Sequence, residues 1–346
     1  MSQKTILIIG SGISGLSAAF ELLENNYQVQ IFEARDIHGG RIGKNTTFAN
    51  FPIELGAEEI HVDIQNIPYN LSVKDYFLEQ NLNEKIWDFY RHFWGTENGT
   101  EIEKMSIREY LDFQKGFNSD HDKNYLIQNG SHLDFLEIKY AKVLPFIKYN
   151  TPIVRINYQN QQKVKIWDSQ GNIYEGEKII LTVPISQLKN NSIKFEPELP
   201  LEKQKAIQNL QMGTGGCLVS GQIGLDMNNE QKREIILKNL YQKLGKVFNF
   251  KNIEDLLEDY LWIEYSQIKY IEGTYSYPVL NAENSRKILA NEVNGNLFFA
   301  GEATHPVYFQ TANGALDTGI REAHKIIQMD NILERQKEDF KNMVSL

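Results

Sequence analysis

The sequence predicts an α/β fold, with a Rossmann-like domain assembled from separated segments of chain and an α+β second domain. Three observations carry the prediction. Residues 5–34 hold, in succession, an apolar run, a glycine-rich turn, a helical pattern and a second apolar run. Residues 296–323 hold a further apolar run, a Gly-Glu turn and a helical pattern. Between these ends lie alternating strand patterns broken by turn residues, with no internal repeat.

The first βαβ unit is the clearest element. Residues 6–9 are apolar and read as a buried strand, and Gly10, Gly12 and Gly15 follow at the G-x-G-x-x-G spacing before Ala18, Leu22 and Leu23 mark a helix face. Gly10 allows a tight turn, Gly12 lets the backbone approach a pyrophosphate, and Gly15 allows close packing of helix on strand. The helix N-terminus offers unpaired N–H groups and the positive end of a dipole. Glu33, ending the second apolar run, is placed to accept hydrogen bonds from the ribose hydroxyls of a bound dinucleotide. A second glycine turn, His38-Gly39-Gly40-Arg41, comes next.

Residues 63–145 read as mostly helical, with turn signals at Asn98-Gly99 and Asn129-Gly130. Strand-like alternation returns at 152–156 and 163–167, with a turn at 168–172, as in a β-meander. Residues 178–183 read as another buried strand closed by Pro184, and 201–212 as a helix leading to Gly213-Thr214-Gly215-Gly216. A helical insert is expected near 231–257, a strand carrying Trp262 after it, a last strand at 296–300 and a last helix from Gly314.

The chain has 346 residues, 41% hydrophobic and 23% charged, which suits two lobes with real cores. Its net charge of −9 argues against general nucleic-acid binding and mildly favours cationic ligands. No stretch approaches the roughly 18–20 apolar residues that span a bilayer, so no membrane span is expected. The strand pattern near residue 5 leaves no room for a leader, and the single cysteine, Cys217, has no internal disulfide partner; both point to a cytoplasmic location. No metal site is suggested.

Six ordered motifs together resemble the flavin-containing amine oxidase family, most nearly its polyamine and spermine oxidase branch. They are GSGISGL (10–16), FEARDIHGGRI (32–42), ELGAEEIH (54–61), LTVPISQLK (181–189), EGTYSYP (272–278) and AGEATH through GAL (300–316). The resemblance covers roughly residues 4–61 and 148–325. It implies two lobes with FAD extended between them: FAD-binding segments at 1–62, 148–190 and 291–330, a short helical insert at 63–147, a substrate domain at 191–290 and a tail at 331–346. Gly10, Gly12, Gly15 and Glu33 match the ADP-binding positions, and Gly39, Gly40 and Arg41 the turn beside pyrophosphate and flavin, with Arg35 also among the cofactor-binding residues. Val154 matches the position whose backbone meets the adenine. Gly301 and Glu302 match the pair at the phosphate and ribityl chain, and Thr311 with Ala312 begins the helix whose N-terminus faces the flavin ring. Thr274 stands where monoamine oxidases attach flavin to a cysteine, which implies non-covalent FAD.

The chemistry the resemblance implies is hydride transfer from the carbon beside an uncharged amine nitrogen to flavin N5, imine hydrolysis, and reoxidation by dioxygen with release of hydrogen peroxide. Tyr275 matches the aromatic wall beside the flavin, with Trp262 supporting it among the cofactor-binding positions. Thr311 stands where monoamine oxidases keep a second aromatic, which favours a polyamine substrate. His61 matches a pocket histidine able to bond a cationic substrate or shuttle a proton; a histidine closing a strand end is the plain alternative. Glu58 and Glu59 could attract a second ammonium group, although an acidic pair is more often a solvated face.

Two departures stand out. Cys217 occupies the position of the family lysine that holds a water near flavin N5, and a thiol is a weak, normally neutral partner. Slow reaction with oxygen is the expected result. The chain is also shorter than typical relatives, mainly between His61 and Ile147, so the pocket is either more open or partly filled by another protein. The competing reading is an oxidase-like protein that keeps FAD for structure or assembly and has lost turnover.

Overall fold

The computed structural model describes residues 3–49, 52–56, 130–214, 226–252, 255, 260–280 and 282–344. Its centre is a five-stranded, all-parallel sheet in the order β13-β9-β1-β2-β5, made of β1 (Thr5–Ile9), β2 (Gln28–Phe32), β5 (Ile147–Lys148), β9 (Lys178–Leu181) and β13 (Leu297–Phe299). A parallel sheet is covered on both faces, so its strands are continuous apolar runs rather than alternating ones. TILII, KIIL and LFF show this directly.

Successive side chains divide between two cores. Leu7, Ile9, Phe32, Ile179, Leu181, Leu297 and Phe299 join one; Ile6, Ile8, Val29, Ile31, Ile180 and Phe298 join the other. The second core is roofed by α1 (Ile13–Glu24) and by the long C-terminal helix, Ala312–Val344. These two helices meet where Gly319 leaves no side chain: a Cβ there would lie 2.1 Å from Ser14 O. The Ser17 hydroxyl donates across the same contact to Leu316 O at 3.1 Å. At the far end of the sheet Asp330 of the long helix accepts from Lys178 at 2.6 Å and from Tyr27 at 3.0 Å and pairs with Lys4 at 3.0 Å.

The first core also receives a four-stranded sheet, β10-β6-β7-β8, formed by β6 (Ile153–Asn157), β7 (Val164–Asp168), β8 (Ile173–Gly176) and β10 (Lys194–Glu196). β6, β7 and β8 are the expected meander, with Asp168 organising the β7–β8 turn by accepting from the N–H groups of Gln170 and Asn172. Two short pairs complete the strands: β3 (Lys44–Asn45) with β4 (Ile53–Glu54), and β11 (Leu210–Met212) with β12 (Ser276–Pro278). The remaining helices are α2 (His132–Lys139), α3 (Ile185–Lys189), α4 (Leu201–Asn209), α5 (Glu230–Phe248) and α6 (Ser285–Ala290); the long last helix is α7.

Several boundaries differ from the sequence reading. The helix expected over 201–212 stops at Asn209, because Leu210 is extended and residues 210–212 pair with β12. Trp262 lies on no strand: residues 260–264 are irregular and lead into a 3-10 turn at Tyr265–Gln267. The insert helix ends at Phe248, where Asn249 adopts a left-handed conformation. Residues 331–344, expected as a tail, continue α7 as an exposed, strongly helix-forming stretch. Of the helical insert at 63–147, only 130–147 is described, and α2 there opens with a capping box between Ser131 and Asp134.

Candidate functional site

In open parallel sheets, ligands bind outside the carboxyl ends of the strands, where the strand order reverses. Here that point lies between β1 and β9, and each of β1, β9 and β13 runs into a motif: Gly10, Thr182 and Gly301. Gly10 has φ +108°, and the Thr182 hydroxyl sits 2.5 Å from where a Cβ would stand while donating to Ile9 O at 2.9 Å. Gly15 is equally fixed, since its Cβ would lie 2.0 Å from Gly10 O. Gly12 differs. Its φ is −68° and the nearest atom to an added Cβ is 3.9 Å away, so the protein itself does not require glycine there.

That free space faces Gly40 across the second glycine turn, which is joined to the first by Gly39 N–H donating to Ser11 O at 3.0 Å. α1 begins at Gly12 with no side-chain cap and no acidic residue in its first turn, and the Ser14 hydroxyl in that turn is buried without a partner. Uncapped N–H groups, an unused hydroxyl and a glycine wall fit a bound pyrophosphate. Arg35 braces this cradle, its guanidinium donating to Gly40 O at 2.9 Å.

Glu33 is buried, and its carboxylate accepts from Ser11 N–H at 2.9 Å, Ser11 Oγ at 2.7 Å and Arg35 N–H at 3.0 Å. A carboxylate has about four acceptor positions, so one stays available for a ribose hydroxyl. Glu33 O also accepts from Thr151 N–H, which places the start of β6 beside this acid. Val154 is exposed, and the β6–β7 register shifts between Ile153 and Arg155, so Val154 has no partner in the β7 ladder.

At the other end, three distant segments close on one another. Arg41 Nη1 donates to Thr274 O at 2.8 Å and to Glu302 Oε1 at 3.0 Å. Glu302 is buried and also accepts from Ser276 N–H at 3.2 Å, Ser276 Oγ at 2.7 Å and Gln310 N–H at 3.0 Å. Burial alone would raise its carboxyl. The charges of Arg41 and Arg286 and the bonds from Ser276 and Gln310 outweigh burial and hold it below the ordinary glutamate range. Arg41 is therefore a structural tie between these segments. Gly301, with φ +108°, makes the turn before Glu302, and its N–H donates to Thr318 of α7.

Tyr275 stands directly before β12, its carbonyl accepting from Gly213 N–H at 2.9 Å. Its neighbour Thr274 has a hydroxyl buried without a partner, as has the indole N–H of Trp262. Thr311 caps α7: its hydroxyl accepts from Gly314 N–H at 2.9 Å and donates to Tyr308 O at 2.8 Å. That hydroxyl is engaged in setting where Ala312 begins the helix, not left open for chemistry. His61, Cys217, Glu58 and Glu59 lie outside the described residues. Arg286, Ser276 and Thr182 were missed as site residues. Thr182 and Ser276 were inside quoted motifs, whereas nothing in the sequence around Arg286 signals its place.

A model of the flavin containing amine oxidoreductase family matches residues 65–221 and 214–327. The chain belongs to this family. A second model, for the NAD(P)-binding Rossmann-like domain, matches residues 8–67, on the first glycine turn. Similar proteins include lysine-specific histone demethylase 2 of Homo sapiens, 23% identical over 442 residues, covering 94% of this chain and 53% of that protein. Polyamine oxidase 3 of Oryza sativa subsp. japonica is 22% identical over 443 residues, covering 96% and 90%. The chain thus spans about half the length of the histone demethylases it matches. Among solved structures, the cyclohexylamine oxidase of Brevibacterium oxydans IH-35A has a TM-score of 0.78 at 14% identity, covering 95% of this chain and 100% of that one. Wild-type putrescine oxidase bound to putrescine has a TM-score of 0.76 at 16% identity, covering 94% and 99%.

These findings bear out the family, the two-lobe flavin amine oxidase fold and FAD as cofactor. The motifs led to the polyamine oxidase and not to the histone demethylases. Among the described residues no helix is long and apolar enough to cross a membrane, and no group of three or more His, Cys, Asp or Glu residues could hold a metal ion.

Proposed function

We propose that this flavin amine oxidase oxidises a polyamine or a related amine, holding FAD non-covalently in the cytoplasm. The observation that carries the reading is the junction of Arg41, Thr274 and Glu302. It joins the second glycine turn, the substrate lobe and the last cofactor segment at one point, with Tyr275 beside it. Bound FAD would supply the acceptor for a hydride from the carbon next to an uncharged amine nitrogen, with dioxygen as final oxidant and hydrogen peroxide as product.

The chain's own residues would then bind and orient. Gly12, Gly40, Ser14 and the first turn of α1 receive the pyrophosphate, Glu33 the ribose, and the Val154 backbone the adenine. The N-terminus of α7, set by Thr311, would offer a positive helix end to negative charge developing on bound flavin. Tyr275 walls the reacting amine against solvent. His61 serves as a proton-handling or substrate-binding group. Thr274 offers a hydroxyl and no thiol, so no bond to the cofactor forms. A protein partner covering the shortened helical region belongs to the same proposal. The amine class follows the similar polyamine oxidase, most of whose length is covered.

The alternative, FAD kept for structure or assembly with turnover lost, draws on Cys217 in the lysine position. Anaerobic mixing of the purified protein with spermine, N-acetylspermine, spermidine and a monoamine panel separates the two. Bleaching of flavin absorbance near 450 nm by a polyamine is the expected result, and admitting air then gives the reoxidation rate. Flavin that stays oxidised with every amine while FAD remains bound overturns the oxidase reading.

A further inference from the structure

Arg286 is a buried cation that no motif accounts for. It lies in the first turn of α6 and is 3% exposed. Nη1 donates to Ser276 Oγ at 2.7 Å and to Ala303 O at 3.2 Å, Nη2 donates to Ser276 O at 3.3 Å, and the guanidinium carbon lies 3.8 Å from the ring centroid of Phe309. Each of these partners belongs to a different wall of the site. Ser276 directly follows Tyr275, Ala303 directly follows Glu302, and Phe309 lies in the loop that Thr311 closes at the start of α7. The Ser276 hydroxyl accepts from Arg286 and donates to Glu302 at 2.7 Å, relaying the guanidinium to the carboxylate that Arg41 holds from the other side.

α6 is also fixed from its C-terminal end. Lys203 of α4 donates to Ile288 O at 3.0 Å, Leu289 O at 2.8 Å and Asn291 O at 2.5 Å, and its ammonium lies 3.9 Å from the ring centroid of Phe299. Phe299 is the last residue of β13, two before Gly301. A short helix is thus gripped at both ends, by the Arg286 guanidinium and by the Lys203 amine, which burial pushes down to about 7, each seated on a phenylalanine that flanks the Gly301–Glu302 turn. A planar fork that bonds several acceptors while stacking on a ring is a task for arginine and not for lysine.

We propose that Arg286 is a positioning residue for the amine oxidation set out above, on which this inference rests. It locks the strand start bearing Tyr275 to the Gly301–Glu302 turn and the α7 entrance, and so sets the flavin ring relative to the aromatic wall. It acts through Ser276, Ala303 and Phe309, and touches neither amine nor cofactor.

The test compares holoenzyme with Arg286→Met and Arg286→Lys, reading FAD affinity and the visible circular dichroism of bound flavin, neither of which needs turnover. Both variants are expected to lose FAD affinity about tenfold or more, the change one lost charge-assisted hydrogen bond carries, with a reduced flavin dichroic band. Low-millimolar guanidinium should restore the band in Arg286→Met, while urea at equal concentration should not. If Arg286→Met yields no folded protein, Phe309→Leu, which removes only the ring under the guanidinium, takes its place with the same direction of change. Variants that lower the melting midpoint but leave flavin dichroism and FAD affinity within twofold of wild type overturn the proposal. A wild-type flavin that no amine bleaches sinks the oxidase reading, and the flavin readouts still decide the role of Arg286.

Discussion

Gly12 and Gly15 stand three residues apart in one motif, and the structure assigns them opposite reasons for being glycine. Replacing Gly12 with alanine adds a Cβ whose nearest neighbours are Gly40 Cα at 3.9 Å and Gly39 O at 4.0 Å, at a φ of −68° that alanine adopts freely. The substitution restricts the unfolded chain, worth about 0.4–1 kcal/mol in favour of folding, and weakens the helix cap by a similar amount. Cofactor-free stability should therefore stay within about 1 kcal/mol of wild type. The same methyl group occupies the space in front of an uncapped helix end, where the pyrophosphate is expected. A hundredfold loss of FAD affinity removes about 2.7 kcal/mol of cofactor-derived stability. Gly15→Ala places its Cβ 2.0 Å from Gly10 O, so the backbone itself must move, at about 1–3 kcal/mol before any cofactor is considered. Urea unfolding at several FAD concentrations, with FAD binding followed by flavin fluorescence, separates the two effects. If Gly12→Ala binds FAD like wild type, or loses as much cofactor-free stability as Gly15→Ala, the assignment of this turn to the pyrophosphate is wrong.

Three further substitutions follow from the same geometry. Glu302→Gln sets an amide N–H₂ against donors already facing the carboxylate, and should cost about 2–4 kcal/mol in urea unfolding. Because the Glu302 carboxyl is held low, that stability is present above the ordinary glutamate range and lost as pH falls through the folded value, so the gap between wild type and variant should close on acidification. Burial, with Arg321 and Arg286 nearby, pushes the His305 imidazole down to about 4. The unfolded chain then takes up a proton between about pH 6.5 and 4 that the native state refuses, costing up to about 3 kcal/mol as pH falls through that window. His305→Asn keeps an acceptor for the N–H groups of Val307 and Tyr308 and should flatten the acid limb of a melting-temperature profile; an unchanged limb would count against the argument. Lys203→Met leaves three carbonyls at the end of α6 without their common donor and should destabilise by about 2–4 kcal/mol in the same assay.

The cofactor half of the site was legible because its residues carry steric reasons that a sequence displays. Gly15 is fixed by a contact within one βαβ unit and Gly10 by its φ of +108°, and the apolar runs of β1, β9 and β13 announce a sheet covered on both faces. The second lobe was less legible. Leu201 to Met212 reads as one amphipathic helix until Leu210 finds β12 as a partner, and Trp262 looks like a strand residue until its segment folds irregularly toward a 3-10 turn. Long-range pairing overrides local preference at Leu210, whereas at Trp262 the apolar pattern alone does not make a strand. Arg286 gave no signal at all, because its partners are 10 and 17 residues away along the chain and an arginine at the start of a helix is ordinarily solvated.

Placing the two glycine segments at opposite ends of the chain has a physical consequence. β1 and β13 both flank β9, so the carboxyl ends that receive the cofactor come together only when the last strand and α7 have docked. Several ties span nearly the whole chain: Arg41 to Glu302, Ser17 to Leu316, Gly319 against Ser14, and Asp330 back to Lys4 and Lys178. Each joins the first segment or the central sheet to the last, and those made by Leu316, Gly319 and Asp330 cannot form in a chain that lacks α7. The carboxyl ends of β1, β9 and β13 therefore stand side by side only in the closed chain. Removing residues from Ala312 onward should abolish FAD binding with the first glycine motif untouched. Loss of FAD from that truncation in an absorbance titration would mean that the glycine motif alone is not a binding site, and retention of FAD would refute the argument.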